Sequence, residues 1–139
     1  MKYMILTYAS QQDYDGMGGK DTGKPAWTGE DFAAMGAFMD KFNNELAESG
    51  ELVETRALAA PVLTRRLGSK DGASVVTDGP YAETQEVLAG YWIVECDSFD
   101  RATEIAARLA DTPAPDFVRA TAYADIRPIV EGGQEELVG

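Results

Sequence analysis

Apolar residues recur along this chain at two different intervals, and the interval separates strands from helices. Lys2 to Tyr8 alternates, with Tyr3, Ile5 and Thr7 on one side and Met4, Leu6 and Tyr8 on the other, which predicts a first strand. From Phe32 the interval lengthens. Phe32, Met35, Phe38, Met39, Phe42 and Leu46 follow three- and four-residue steps, forming the apolar stripe of a helix that starts at Thr28 and stops at Gly50. Thr28 with Asp31 three residues on is a weaker relative of the capping box. Glu51 to Leu58, Val62 to Leu67 and Ser74 to Thr77 read as strand segments, the last two joined by the polar connection Gly68 to Ser74. Leu88 to Cys96 is the clearest strand. A second helix is expected from Phe99 to Ala110, capped by Asp97 or Ser98 and ended by Pro113 and Pro115. Ala120 to Val130 is read as the last strand, with Pro128 at its end or on an edge.

Ala9 to Trp27, with four glycines and Pro25, reads as a long loop, either a lid or a disordered segment. Residues 1–130 form one domain, and 131–139 a short acidic tail. Two helices separated by a hairpin region give an α+β class: a ferredoxin-like antiparallel sheet with both helices on one face. Such a helix layer covers one side of the sheet only. Yet Leu88 to Cys96 is apolar on both sides, Tyr91 and Ile93 on one and Trp92 and Val94 on the other. The first strand repeats this. Large apolar patches seldom stay open to water, so a two-fold homodimer with opposed sheet faces is expected.

Charge narrows the partners. Twelve basic and 24 acidic residues give a net charge of −12, which disfavours nucleic acid and anionic membrane surfaces. No apolar run approaches the about 18–20 residues of a membrane span. One cysteine, Cys96, cannot form an internal disulfide, and a cytoplasmic location is the default. The chain has no histidine. That removes Ser-His-Asp and Cys-His nucleophiles and His-bound metals, leaving carboxylates, tyrosines, Lys and Arg for any chemistry. No cofactor and no metal is implied. Glu83 and Glu86 match no ion-binding spacing and read as a solvated acidic patch.

Two readings of Asp78 stand side by side. Asp78-Gly79-Pro80 between strand runs is turn chemistry, with Gly allowing an unusual φ and Pro fixing the exit. A carboxylate at a strand end, at the mouth of the space between sheet and helices, also suits a general base or a ligand contact. Arg56 and Arg127 lie in strands and need acidic partners such as Asp78 or Asp125, or else clamp a ligand carboxylate. Tyr8, Tyr81, Tyr91 and Trp92 are candidates for an aromatic lining with hydroxyls at its rim.

Asp78-Gly79-Pro80-Tyr81, then Glu83-Thr84-Gln85-Glu86, then Gly90-Tyr91 before an apolar strand, resembles the YCII-related family, also called the DGPF domain. The likeness extends through "KYMILTY", "SGELVETRALAAP" and Ser98-Phe99-Asp100 to "DIRPI", Asp125 to Ile129. It implies a ferredoxin-like subunit in a dimeric α/β-barrel-type assembly, bacterial and cytoplasmic, with mostly undefined activity and an occasional link to sigma factors. Other YCII-related proteins have been assigned a His–Asp acid/base pair, and Asp78 matches its aspartate. Without a histidine that pair cannot operate here. Tyr81 replaces Phe, adding a hydroxyl, and Gln85 replaces Lys, removing a cation.

The expected function is therefore small-molecule binding by a homodimer, in a pocket near Asp78 with Tyr8, Arg56, Tyr81 and Arg127 as ligand contacts. The alternatives are a cofactor-free isomerase or lyase using Asp78 as base, and a protein-interaction module that meets a sigma factor.

Overall fold

The computed structural model describes residues 1–139. Strand β1 (Lys2–Ala9) leads into helices α1 (Gln11–Met17) and α2 (Gly29–Glu48). Strands β2 (Leu52–Ala57), β3 (Arg65–Lys70), β4 (Ala73–Asp78) and β5 (Val87–Glu95) follow. Helices α3 (Phe99–Ala107) and α4 (Asp116–Arg119) precede β6 (Ala124–Pro128). Four strands form one antiparallel sheet in the order β2-β5-β1-β6, and β3 pairs only with β4. The main sheet is open, so a single chain closes no barrel.

The period-two pattern decides what each sheet face does. Tyr3 lies opposite Val94 and Ile5 opposite Trp92, and all four point into the helix layer. There they meet Phe42 and Leu46 of α2 and Ala102, Ile105 and Ala106 of α3. Ile5, Val94 and Ile105 are fully buried, each contributing about 1.5–3 kcal/mol from removing an aliphatic side chain from water. Phe42 meets the Trp92 ring edge-on at 5.7 Å. The indole N–H of Trp92 donates to Asn43 Oδ1 at 2.8 Å, so the one polar group of that ring is satisfied beside the core.

Both long helices begin on the side chains that the sequence marks. Thr28 Oγ1 accepts from Asp31 N while Asp31 Oδ2 accepts from Thr28 N, closing the box in both directions. At α3 the cap is Ser98, whose hydroxyl accepts from Arg101 N. Arg101 then grips Glu51 through Nε and Nη2 at 2.8 and 2.9 Å, tying α3 to the start of β2. Those bonds hold the Glu51 carboxyl below the ordinary carboxylate range and push the Arg101 pKa up.

Four sequence expectations need correction. The segment from Ala9 to Trp27 is not a loop throughout, because Ser10 and Asp13 form a second reciprocal box that launches α1. Seven residues carry too few apolar positions to display a helical period. The Val62 to Leu67 segment begins as a 3-10 turn at Pro61–Leu63, and the strand starts only at Arg65. The second helix turns to 3-10 geometry at Arg108–Asp111 rather than running to Ala110 as one α-helix. The last strand starts at Ala124, not Ala120, since α4 and its closing turn occupy the residues ahead. Beyond residue 131 only an exposed 3-10 turn, Gln134–Val138, is formed.

Candidate functional site

Asp78 closes β4, directly across from Arg65, and its Oδ1 accepts from Arg65 Nε at 2.9 Å. Both side chains are about three-quarters exposed, at 75% and 73%. The hairpin β3–β4 does not join the main sheet and every one of its residues is exposed. Asp78 therefore stands on a projecting arm, not at the mouth of the space between sheet and helices. The run Ser74 to Thr77 resembles a core strand locally, and nothing in its own residues says that it pairs outside the sheet. The corner after it is built as expected in one respect. Gly79 has φ +56°, a left-handed conformation that favours glycine, and its N–H donates to Thr64 O at 2.8 Å. The partner of Asp78 is a cross-strand arginine rather than the backbone just ahead.

Tyr81 stays at this end of the molecule, with the Arg66 guanidinium 5.2 Å from its ring centre. The other three candidate contacts lie on the main sheet, on the face away from the helices. Tyr8 donates its hydroxyl to Asp125 Oδ2 at 2.9 Å and stacks on Tyr123 at 5.4 Å. Tyr123 in turn donates to Glu86 Oε2 at 2.8 Å. Arg127 is two residues along the same edge strand, opposite Met4. On the other edge Tyr91 donates to Glu54 Oε2 at 2.6 Å, and Arg56 Nη2 lies 3.7 Å from Glu54. Arg56 thus pairs with Glu54 and not with Asp78 or Asp125, and Arg127 forms an ion pair with neither of those two acids.

Three phenols on this face each face a carboxylate. The hydrogen bond to Asp125 raises the Tyr8 pKa above its ordinary value, with burial adding to it and Arg127 opposing. Glu54 does the same for Tyr91, and Glu86 for Tyr123. At neutral pH these phenols are protonated, and each donates its one hydrogen to a carboxylate, leaving the phenol oxygen as an acceptor. Between the two edges run Met4, Leu6 and Ile93, half-buried and apolar. Gly90 sets this geometry from below. A Cβ there would come within 3.1 Å of Arg56 O, so a side chain at residue 90 would press on the β2 backbone.

Two concavities in the body lie elsewhere. One of about 10 Å³, between α1, the following loop and α4, is lined by Asp13, Thr22, Lys24, Trp27 and Phe117 and is scarcely the size of one water. A shallow groove of about 200 Å³ runs along Phe38, Lys41, Glu45 and Arg108, where Arg108 covers the Phe42 ring and pairs with Glu45. Neither involves Asp78. No three Asp, Glu or Cys side chains gather at one point as ligands for an ion, and no helix is long and apolar enough to cross a membrane. Glu54, Tyr123 and Asn43 went unmarked in the sequence. The signal for Glu54 was available, since Glu54 and Arg56 on one edge and Asp125 and Arg127 on the other are spaced by two.

The family model for the YCII-related domain matches residues 1–131. The chain belongs to the YCII-related family. The chain is also similar to an uncharacterized protein of Rhizobium meliloti (strain 1021), 27% identical over 104 residues, which cover 75% of this chain and 80% of that protein. The family motif now has a physical outline in this YCII-related chain: Gly79 makes the corner, Gly90 the strand contact, and Tyr91 the first phenol of the open face.

Proposed function

We propose that this YCII-related protein is a ferredoxin-like subunit of a cytoplasmic homodimer that binds a small organic molecule between opposed sheet faces. The observation that carries this is the open face itself: an apolar ridge of Met4, Leu6 and Ile93, left without a helix layer, bordered by Tyr8, Tyr91, Arg56 and Arg127. An apolar ridge of this kind is stable when covered, and opposed sheets leave about 10 Å between backbones for side chains or a ligand. The fringe chooses the ligand class. Guanidinium groups suit a carboxylate, and phenols whose one hydrogen is donated to an acid keep an oxygen that accepts from a ligand hydroxyl. The ligand is thus a small acid with an apolar body.

This moves the site away from Asp78, whose exposed pairing with Arg65 lends little support to a base or a pocket residue. Thermal-shift screening of small aliphatic and aromatic hydroxy acids tests the proposal. A hit whose stabilisation disappears in Arg127→Ala or Tyr8→Phe is the expected result. A hit lost only in Asp78→Asn would return the site to the hairpin and revive the acid/base alternative.

A second reading has its own observation. Leu67 is 70% exposed and Val76 58%, facing each other across the hairpin, with Leu63 at 73% nearby. A protein-interaction module would present such an arm, and a sigma factor is one partner class that the family resemblance suggests. Pull-down by the intact protein but not by Leu67→Glu is the outcome that favours it.

A further inference from the structure

The projecting hairpin is a two-stranded ribbon with no neighbour on either edge. Its corner, Asp71-Gly72, has φ of 53° and 79°, and no bulge interrupts the pairs from Arg65–Asp78 to Lys70–Ala73. The arm is thus held extended by its own chain. The Gly79 N–H donates to Thr64 O, and bonded and unbonded pairs alternate along an antiparallel ladder. Arg65, Leu67 and Ser69 therefore fall in unbonded pairs, and their N–H and C=O groups point away from β4 along an open edge. Ser74, Val76 and Asp78 form the corresponding edge of β4.

Three observations single out the β3 edge. From Thr55 to Lys70 the chain carries Arg56, Arg65, Arg66 and Lys70 and no acid, although its net charge is −12. Arg65 is engaged by Asp78, while Arg66 and Lys70 form no ion pair. Beside these cations Leu67 is exposed, as are Val62 and Leu63 on the approach to the strand. Gly68 then stands mid-strand between Arg66 and Lys70 without a left-handed φ, and a Cβ there would meet only Val75 O at 3.9 Å. Neither the backbone nor the packing of its own chain requires glycine at that place. A glycine of this kind leaves room for another backbone or side chain to come close. The outward row of β4 has neither a cation nor a glycine. A second copy is a poor occupant of the β3 edge, because its own β3 brings the same cations and its β4 an acid already held by Arg65.

We infer that the outer edge of β3 takes up an extended segment of another protein as an added antiparallel strand, acidic opposite Arg66 and Lys70 and apolar opposite Gly68 and Leu67. This rests on the interaction-module reading above and names the chemistry of the partner. The outward groups of Leu67 and Ser69 bond any extended backbone, and the side chains choose among segments. Arg66, Gly68 and Lys70 share one side of the ribbon, with Leu67 on the other. Read from its N-terminus, the partner has the order acid, any residue, bulky, apolar, acid. Opposed side chains lie about 4.5–5.5 Å apart, which brings each acid to its cation and the bulky group over Gly68. A basic segment in the same place meets like charge and is refused.

Fluorescein-labelled peptides TETYVET and TKTYVKT, titrated with the full chain and followed by anisotropy, test this. TETYVET is expected to bind at least about tenfold more tightly, against the net charge of the chain, which alone favours the lysine peptide. Leu67→Pro removes an outward N–H without touching the hairpin's own bonds, and should weaken TETYVET about tenfold or more. Ser74→Pro does the same to the β4 edge and should leave binding within about twofold. The double variant Arg66→Glu with Lys70→Glu should reverse the preference to TKTYVKT, a gain that an unfolded arm cannot give. Equal binding of the two peptides, or of neither, overturns the inference, as does loss in Ser74→Pro but not in Leu67→Pro. Capture by vesicles of equal parts phosphatidylcholine and phosphatidylserine, with no binding of TETYVET, overturns it in favour of a lipid surface. The interaction-module reading is judged apart, by the Leu67→Glu pull-down, and outlives a failure of the strand-addition mode.

Discussion

The two faces of the β1–β5 ribbon share a backbone and little else. On the helix side, Tyr3, Ile5, Trp92 and Val94 make a dry layer, none more than 7% exposed. On the other side, their immediate neighbours Met4, Leu6, Tyr91 and Ile93 are half-buried, and Tyr8 and Tyr91 each meet an acid on a sheet edge. Alternation alone would have made the second face polar, as in a sheet that faces water. It is instead apolar in the middle and charged at the margins, the composition of an interface rather than of a solvated surface. One face folds the chain. The other is left without a helix layer by its own chain.

The sharpest break between the faces comes from adjacent residues. Trp92→Ala should lose about 3–5 kcal/mol in chemical unfolding, because it leaves a cavity among Phe42 and its neighbours. Ile93→Ala, one residue on, should cost less than about 1.5 kcal/mol in dilute monomer while weakening association. Equal losses at the two positions would mean that the faces are equally covered within one chain. A smaller effect is expected from Asn43→Ala, which deprives the Trp92 N–H of its acceptor and should cost about 1–3 kcal/mol. The variant Asn43→Asp keeps an acceptor there and should retain most of the stability.

Acid provides a gentler probe of the helix side. The Glu51 pKa is lowered in the folded protein, so its contribution is present above the unfolded value, about 4.3 for a free glutamate, and is lost as pH falls through the folded value. Unfolding measured between neutral pH and strong acid should show Glu51→Gln losing less stability on acidification than wild type. Parallel curves would remove Glu51 and Arg101 from the account. The raised phenols of the open face work at the other extreme. Their hydrogen bonds are intact below the ordinary tyrosine value of about 10 and are lost as pH rises through the folded values. The smallest effect belongs to the hairpin. Asp78→Asn, which weakens an exposed ion pair, should change stability by less than about 1 kcal/mol.

Much of this contrast was legible before any coordinates. The stripe of α2 spans enough turns to declare itself, and Thr28 and Ser98 sit where caps belong. The double-sided apolar character of Leu88 to Cys96 already asked for a second cover. Other features depend on register, which no local pattern supplies. Whether Glu54 falls beside Ile93 or Trp92 turns on an irregularity between Leu52 and Glu54 that shifts the strand by one residue. Asp78 illustrates the same point from the other side. Its strand is as apolar as a core strand, yet it pairs outside the main sheet, so a carboxylate expected at a cleft projects into solvent. Seven-residue α1 escaped because a single turn pair with one tyrosine has no period to read.

Sedimentation velocity across nanomolar to micromolar concentration, on wild type and on Ile93→Asp, tests the open face most directly. The wild type should sediment at twice the 15.0 kDa chain mass, and Ile93→Asp at the chain mass with its near-ultraviolet tryptophan signal intact. A wild type that stays at the chain mass throughout, or a folded Ile93→Asp that dimerises as well as wild type, would contradict it.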